Sequence, residues 1–193
     1  MKFTSNLWGF LFIYFSFLLL TGPIWIIGDS IVRWAKQPLS LPRAGLWNGR
    51  SGATITDIRN LMSRMPGPPP SVIVFHIGTN DLLCVDAFCI RHRILSLMED
   101  TKALYPHAQI VWSDILPRLF YFETTAQASM DRKRRSINKW AKSRSCKLGG
   151  HFIHHPQFRW TTMHLFRYDG VHLSKAGIQQ FLSNLVAGIS VLI

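Results

Sequence analysis

Acidic residues are scarce: ten Asp and Glu stand against 22 Lys and Arg, a formal net charge of +12. This balance rules out an acidic tail protein and predicts attraction to polyanions, while saying nothing of fold. Cysteine is nearly lacking. Cys84, Cys89 and Cys146 are odd in number and form no pair at metal-ligand spacing. They read as free thiols, which excludes a disulfide framework and a cysteine-rich zinc module. Charged residues of both signs reach only 17%, against 48% hydrophobic, so intrinsic disorder is excluded as well. No internal repeat is visible. What remains is a chain of 193 residues, sized for one α/β domain with a real core.

The N-terminal segment, residues 1–22, stands apart from the domain expected over residues 23–193. Leu7 to Leu20 is almost wholly apolar, with Lys2 ahead of it, which resembles the charged start and apolar centre of a signal peptide or anchor. At ~1.5 Å per residue such a helix falls short of the ~30 Å hydrocarbon core, and Leu-Leu-Leu-Thr-Gly-Pro makes a poor cleavage site. A further hypothesis is a gene-model artefact. The segment can be written in thymine-rich codons, and Thr21-Gly22 can contain CAG-G, as a translated splice acceptor would. A transcript reading continuously through these codons would refute that idea. Localisation follows the choice: cytoplasmic if the segment is an artefact, secreted or membrane-anchored if it is real.

The rest of the chain is organised around Ile24 to Val32, IWIIGDSIV. Four apolar residues running into Gly-Asp-Ser read as a buried strand, a tight turn at Gly28 and a helix opening at Asp29 and Ser30. Further strands are expected near Gly45 to Asn48, Ser71 to Ile77, Gln109 to Ile115 and Gly149 to His154. Helices are expected over about Thr54 to Met65, around Ile90 to Leu104, from Thr125 to about Arg144, and from Ser174 onward. SVIVFHI, almost continuously apolar, suits a central strand covered on both faces. Alternating strands and helices predict a three-layer α/β/α sandwich with a mainly parallel sheet.

Chemistry-bearing residues collect after these strands, in GDS, SGAT, GTND and DGVH. In a parallel sheet such loops emerge on one edge and converge. Ser30 can act as nucleophile, His172 as its base, and Asp169 as the acceptor that holds the imidazole tautomer. The Ser30 N–H, the Gly52 N–H and the Asn80 carboxamide can form an oxyanion hole.

The blocks IIGDS, SGAT, GTND and DGVHLS resemble, in order and spacing, the four signature blocks of the SGNH (GDSL-type) hydrolases. The letters S, G, N and H fall on Ser30, Gly52, Asn80 and His172, and the resemblance spans about Ile24 to Ile189. It implies a flavodoxin-like sheet of five parallel strands and hydrolysis of small acyl esters through an acyl-serine, with no metal and no cofactor. More loosely, the compact chain is similar to the esterase-like domains of vertebrate retroelements. The second block departs from the usual NxGxSG setting, since NGRSGAT leaves both Gly49 and Gly52 available; the resemblance places the block's glycine at Gly52. Ser51 is a rival nucleophile, because GRSGA nearly matches a G-x-S-x-G elbow and Asp169 and His172 follow it in order. It leaves Gly28-Asp29-Ser30 unexplained.

Other candidates read as structural. His151, His154 and His155 form HxxHH without a carboxylate at useful spacing and read as a surface loop rather than a metal site. His76 reads as a hydrogen-bonded core residue. Asp29 and Asp81 read as braces of the loops through backbone bonds. The run Asp131 to Lys147 carries Arg132, Lys133, Arg134 and Arg135 and reads first as a solvated helix face. Its functional alternative is contact with nucleic acid or acidic lipid, in a chain that keeps the fold as a catalytically silent binding module. No obligate protein partner is implied.

Overall fold

A computed structural model describes residues 22–37, 44–121 and 127–193. The apolar N-terminal segment, except Gly22, therefore lies outside the described residues. Five strands form one parallel sheet: β1 (Ile24–Gly28), β2 (Ala44–Gly49), β3 (Val72–His76), β4 (Gln109–Ser113) and β5 (His151–Ile153), in the order β2-β1-β3-β4-β5. The helices are α1 (Ser30–Ala35), α2 (Ile55–Met62), α3 (Asp81–Cys84), α4 (Ala87–Leu104), α5 (Gln127–Lys147) and α6 (Lys175–Ser190). This is the flavodoxin-like three-layer sandwich expected from the sequence.

The period-2 alternation of a strand divides each apolar run between two cores. Trp25, Ile27, Ile73, Phe75, Ile110 and Trp112 face a core closed by Ile58 of α2, Ile94 and Leu97 of α4, and Ile137 and Ala141 of α5. Ile24, Ile26, Val72, Val74 and Val111 face the other, closed by Ile31 and Val32 of α1 and Phe181, Leu185 and Ile189 of α6. Because both faces are covered, the central strands are apolar except at their ends, with His76 and Ser113 standing at the carboxyl ends, and all five residues of both β1 and β3 are buried.

Helix starts follow side-chain capping of the first free N–H groups. Asp29 caps α1 through Ile31 N at 2.9 Å. Thr54 and Asp57 form a reciprocal capping box on α2, Asp86 caps α4 and Ser174 caps α6. α2 ends three residues before the expected Met65, and α5 continues to Lys147, past the expected Arg144. The short α3 was not anticipated. It follows GTN directly, and Asp81 Oδ2 takes the Ile55 N–H at 3.0 Å, tying α3 to the start of α2. Among the described residues no helix is long and apolar enough to cross a membrane.

Strand order reverses at β1, whose neighbours β2 and β3 lead to opposite edges. Open α/β sheets take ligands at such a switch point, outside the carboxyl ends of the strands. β1 ends there, and Ser30 follows it.

Candidate active site

Gly28 lets β1 run close against its neighbour. A Cβ on it would lie 2.0 Å from the His76 carbonyl oxygen and 2.6 Å from Val32 Cγ2. The chain turns at once into α1, so Ser30 becomes the helix's first residue, almost buried at 8% exposure. Its N–H belongs to the free donors of a helix start.

His172 arrives from a different part of the chain, 142 residues later, on the loop between the 3₁₀ turn Met163–Leu165 and α6. The Asp169 side chain folds that loop onto itself: its Oδ1 accepts the Val171 N–H at 2.9 Å and the His172 N–H at 2.8 Å. Gly170 has φ +67° and backs onto the Phe120 ring, where a Cβ would come within 2.7 Å. The other carboxylate oxygen, Oδ2, lies 2.8 Å from His172 Nδ1, and His172 Nε2 lies 3.1 Å from Ser30 Oγ. An ionised carboxylate only accepts, so Nδ1 carries the proton and the Nε2 lone pair faces the serine hydroxyl. Burial opposes ionisation of Asp169, but the His172 ring and the two backbone N–H donors outweigh it and hold the carboxyl below its usual range.

Gly52 and Asn80 come from the loops after β2 and β3. The Arg50 N–H donates to the Gly28 carbonyl at 3.0 Å and the Ala53 N–H to the Arg50 carbonyl at 3.2 Å, forming a turn with Gly52 at φ +74°. A Cβ at Gly52 meets nothing within 4 Å, whereas one at Gly49 would lie 2.1 Å from Arg33 N. Gly49 is thus a close-packing residue of β2, and Gly52 sits in the open turn. Asn80 Nδ2 donates to the Ala53 carbonyl at 2.9 Å, which ties it to the same turn. Neither Ser30 N–H nor Gly52 N–H has an acceptor among the described residues.

Arg118, which sequence reasoning missed, fixes the Asn80 amide. Its Nη2 donates to Asn80 Oδ1 at 3.3 Å and to the Thr79 carbonyl at 3.2 Å, and its Nε to Thr79 Oγ1 at 3.2 Å. The guanidinium occupies the oxygen side of the carboxamide and leaves the NH₂ side for the turn. No local motif announces Arg118; its only signal is its place just beyond the carboxyl end of β4.

The rival nucleophile Ser51 is exposed, and its Oγ accepts from Arg33 Nη1 at 3.2 Å with no histidine beside it. Asp29 and Asp81 do brace the loops through backbone N–H groups, as expected. Burial raises the Asp29 carboxyl to about 7, against the Ile31 N–H and the charges of Arg118 and His172. Burial likewise raises Asp81, against the Ile55 N–H and Arg93.

His76 is a buried core residue, its Nδ1 3.0 Å from Ser113 Oγ. The HxxHH run is not the plain surface loop expected. His155 is buried, with Nε2 at 2.7 Å from the same Ser113 Oγ and Nδ1 at 3.0 Å from Asn184 Nδ2. His154 is exposed but bonds the buried Asp114 through Nδ1. The carboxylate missing from the local sequence comes from the end of β4, 40 residues away.

The basic run on α5 is also only partly solvated. Lys133 Nζ donates to the Leu82 carbonyl at 2.7 Å and also to that of Val85. Arg134 pairs with Asp131 at 2.7 Å and donates to the Ile115 carbonyl at 2.9 Å. Arg132 and Arg135 remain exposed, Arg135 at 3.2 Å from Asp131.

The family model of GDSL-like lipase/acylhydrolases matches residues 26–180, a span that runs from β1 past His172. The chain belongs to the GDSL-like lipase/acylhydrolase family. Solved members share its fold at low identity. A GDSL-like lipase from Bacteroides thetaiotaomicron superposes with a TM-score of 0.72 at 17% identity, covering 90% of either chain. A protein of the lipolytic G-D-S-L family from Veillonella parvula gives 0.70 at 15% identity, over 87% of this chain and 98% of its own. A variant of an acetyl-xylooligosaccharide esterase from Geobacillus gives 0.64 at 20% identity, over 87% and 94%. No curated protein matches the chain. The family is one of hydrolases, and the GDS and DGVH blocks of this GDSL-like protein meet at the switch point of its sheet.

Proposed function

We propose that this GDSL-like protein is a serine carboxylester hydrolase acting through an acyl-Ser30 intermediate. The observation that carries the reading is the unbroken chain from Ser30 Oγ to His172 Nε2 at 3.1 Å and from His172 Nδ1 to Asp169 Oδ2 at 2.8 Å. His172 takes the hydroxyl proton as Ser30 Oγ attacks the ester carbonyl, and the new C–O bond gives a tetrahedral oxyanion. Ser30 N–H, Gly52 N–H and the Asn80 carboxamide donate to that oxygen, with Arg118 holding the carboxamide from its other end. As the intermediate collapses, His172 returns the proton to the leaving alcohol. Water, deprotonated by the same imidazole, then attacks the acyl carbonyl and releases acid and free Ser30. Asp169 keeps the tautomer and stabilises the imidazolium that forms in each half-reaction.

The test is labelling of the purified protein with a fluorophosphonate probe and turnover of short p-nitrophenyl esters, beside Ser30→Ala. Labelling and turnover should both disappear in the variant, with the rate falling by about 10⁵-fold or more because the triad acts as a unit. A folded wild-type protein that neither labels nor turns over would overturn the proposal and restore the silent binding module.

A further inference from the structure

The carboxyl ends of β4 and β5 open on a cleft of about 770 Å³, lined by none of the residues assigned to Ser30 chemistry. Its volume falls in the small-molecule range of roughly 300–1,000 Å³, and it lies on the sheet edge where α/β folds accept ligands. Its two walls differ in chemistry. On the α5 side stand Arg135, Lys139 and Lys142. Spaced i, i+4 and i+7, they share one face of the helix. Lys139 and Lys142 are exposed, and the nearby acid, Asp131, is already paired with Arg134 at 2.7 Å. The other wall carries Arg159 and is otherwise aromatic: Phe152 is half-buried with Lys142 Nζ 5.7 Å from its ring centroid, and Trp160 keeps 59% of its surface exposed. Between the walls His154 is held through Nδ1 by Asp114, and its Nε2 is unengaged among the described residues.

We propose that this cleft binds a nucleotide, free or as one unit of a single strand, with its base stacked on Trp160 and its phosphate on Lys139 and Lys142. The ligand must satisfy both walls. A simple anion uses the cations and leaves the indole idle. A neutral apolar ligand gives Lys139 no counter-charge and Lys142 none beyond the Phe152 ring. A flat π-system carrying phosphate meets both demands, by stacking and by charge. The proposal does not depend on the esterase reading. It moves the polyanion contact of the basic helix away from Lys133 and Arg134, whose side chains are engaged internally, to the stripe one to two turns further along.

The full chain is titrated with fluorescein-labelled octauridylate by anisotropy and with AMP by calorimetry, at 50 and 200 mM salt, with inorganic phosphate as competitor. Saturable binding is expected, weakened about ten-fold or more in Trp160→Ala and restored in large part in Trp160→Phe. Lys139→Ala with Lys142→Ala should weaken it similarly and flatten the salt dependence by roughly one unit of the log–log slope. Displacement of the octamer by AMP, or binding of AMP alone, identifies the free nucleotide. An octamer that AMP does not displace identifies the strand. The proposal is overturned if neither probe binds, if Trp160→Ala binds as wild type does, or if phosphate competes as well as AMP. The substituted side chains are exposed, and an unchanged melting temperature shows that the variants are folded.

Discussion

Replacing Asp169 by asparagine tests the tautomer argument more sharply than replacing it by alanine. In the native loop Oδ1 takes two backbone N–H bonds, from Val171 and His172, and Oδ2 takes the imidazole N–H. A carboxamide offers one oxygen and one NH₂. With its oxygen on the backbone pair, the NH₂ faces Nδ1, which must then accept, so the proton moves to Nε2 and the base is lost. With its oxygen on the imidazole, the correct tautomer survives, but the NH₂ confronts two backbone donors. Those two lost bonds cost about 1–3 kcal/mol each when the site is dry. The His172 and Asp169 side chains are 31% and 32% exposed, so water recovers part of that and the lower half of the range applies. About 2–4 kcal/mol against the productive arrangement corresponds to a roughly 30- to 1,000-fold deficit in competent enzyme. Asp169→Ala loses the same negative charge but leaves water beside a ring free to choose its tautomer. The kcat/KM of Asp169→Asn on p-nitrophenyl acetate should therefore lie about 30- to 1,000-fold below that of Asp169→Ala. An asparagine variant as fast as the alanine variant, with both folded, refutes the role given to Asp169.

Asn80→Ala should lower kcat by about 10²–10³ with little change in KM, the effect of one lost oxyanion donor; an unchanged kcat in steady-state assays removes Asn80 from the site. Burial pushes His76 down from 6.5 to about 3. The unfolded state therefore binds the extra proton first, and His76 supports stability above ~6.5 and withdraws about 1.4 kcal/mol per pH unit as pH falls toward 3. The stability gap between wild type and His76→Gln in urea should narrow by about 2 kcal/mol between pH 6.5 and 5, and parallel pH curves would contradict this. Gly28→Ala places a Cβ 2.0 Å from the His76 carbonyl, so β1 and β3 must separate, at a cost of about 3 kcal/mol or more; a variant melting with the wild type shows that the strands do not pack that closely.

The sheet was legible because its central strands carry their own signal, while β2 and β5 carry a weaker one. IWIIG is apolar throughout and VIVFH is so up to His76, and that marks strands covered on both faces. The turn residues were legible for the same local reason: Asp29, Thr54 and Ser174 bond N–H groups within three positions of themselves. Asp169 and His172 could be paired because their contact spans three residues. Contacts across the sheet edge left no such trace. Arg118 reaches Asn80 over 38 positions, and Asp114 reaches His154 over 40. The basic run of α5 misled for a related reason. Charge is read from composition, but whether Lys133 is solvated depends on the Leu82 and Val85 carbonyls that the fold brings to it.

The same edge carries two Asp–His pairs, and their difference explains why the proposal gives acyl transfer to only one of them. In both, a carboxylate bonds Nδ1, which fixes which nitrogen faces outward. At His172 that nitrogen meets Ser30 Oγ at 3.1 Å, delivered by the tight turn after β1. At His154 no hydroxyl among the described residues meets Nε2, and the surroundings are lysines and aromatic rings. A fixed imidazole with no side-chain hydroxyl opposite it cannot form an acyl-enzyme; in a cationic cleft it can hydrogen-bond what arrives or act on water. The dyad alone therefore does not define the chemistry. Gly28, by letting the chain turn where β1 meets β3, sets Ser30 opposite one histidine, and the Ile153-to-His154 exit from β5 brings no serine to the other.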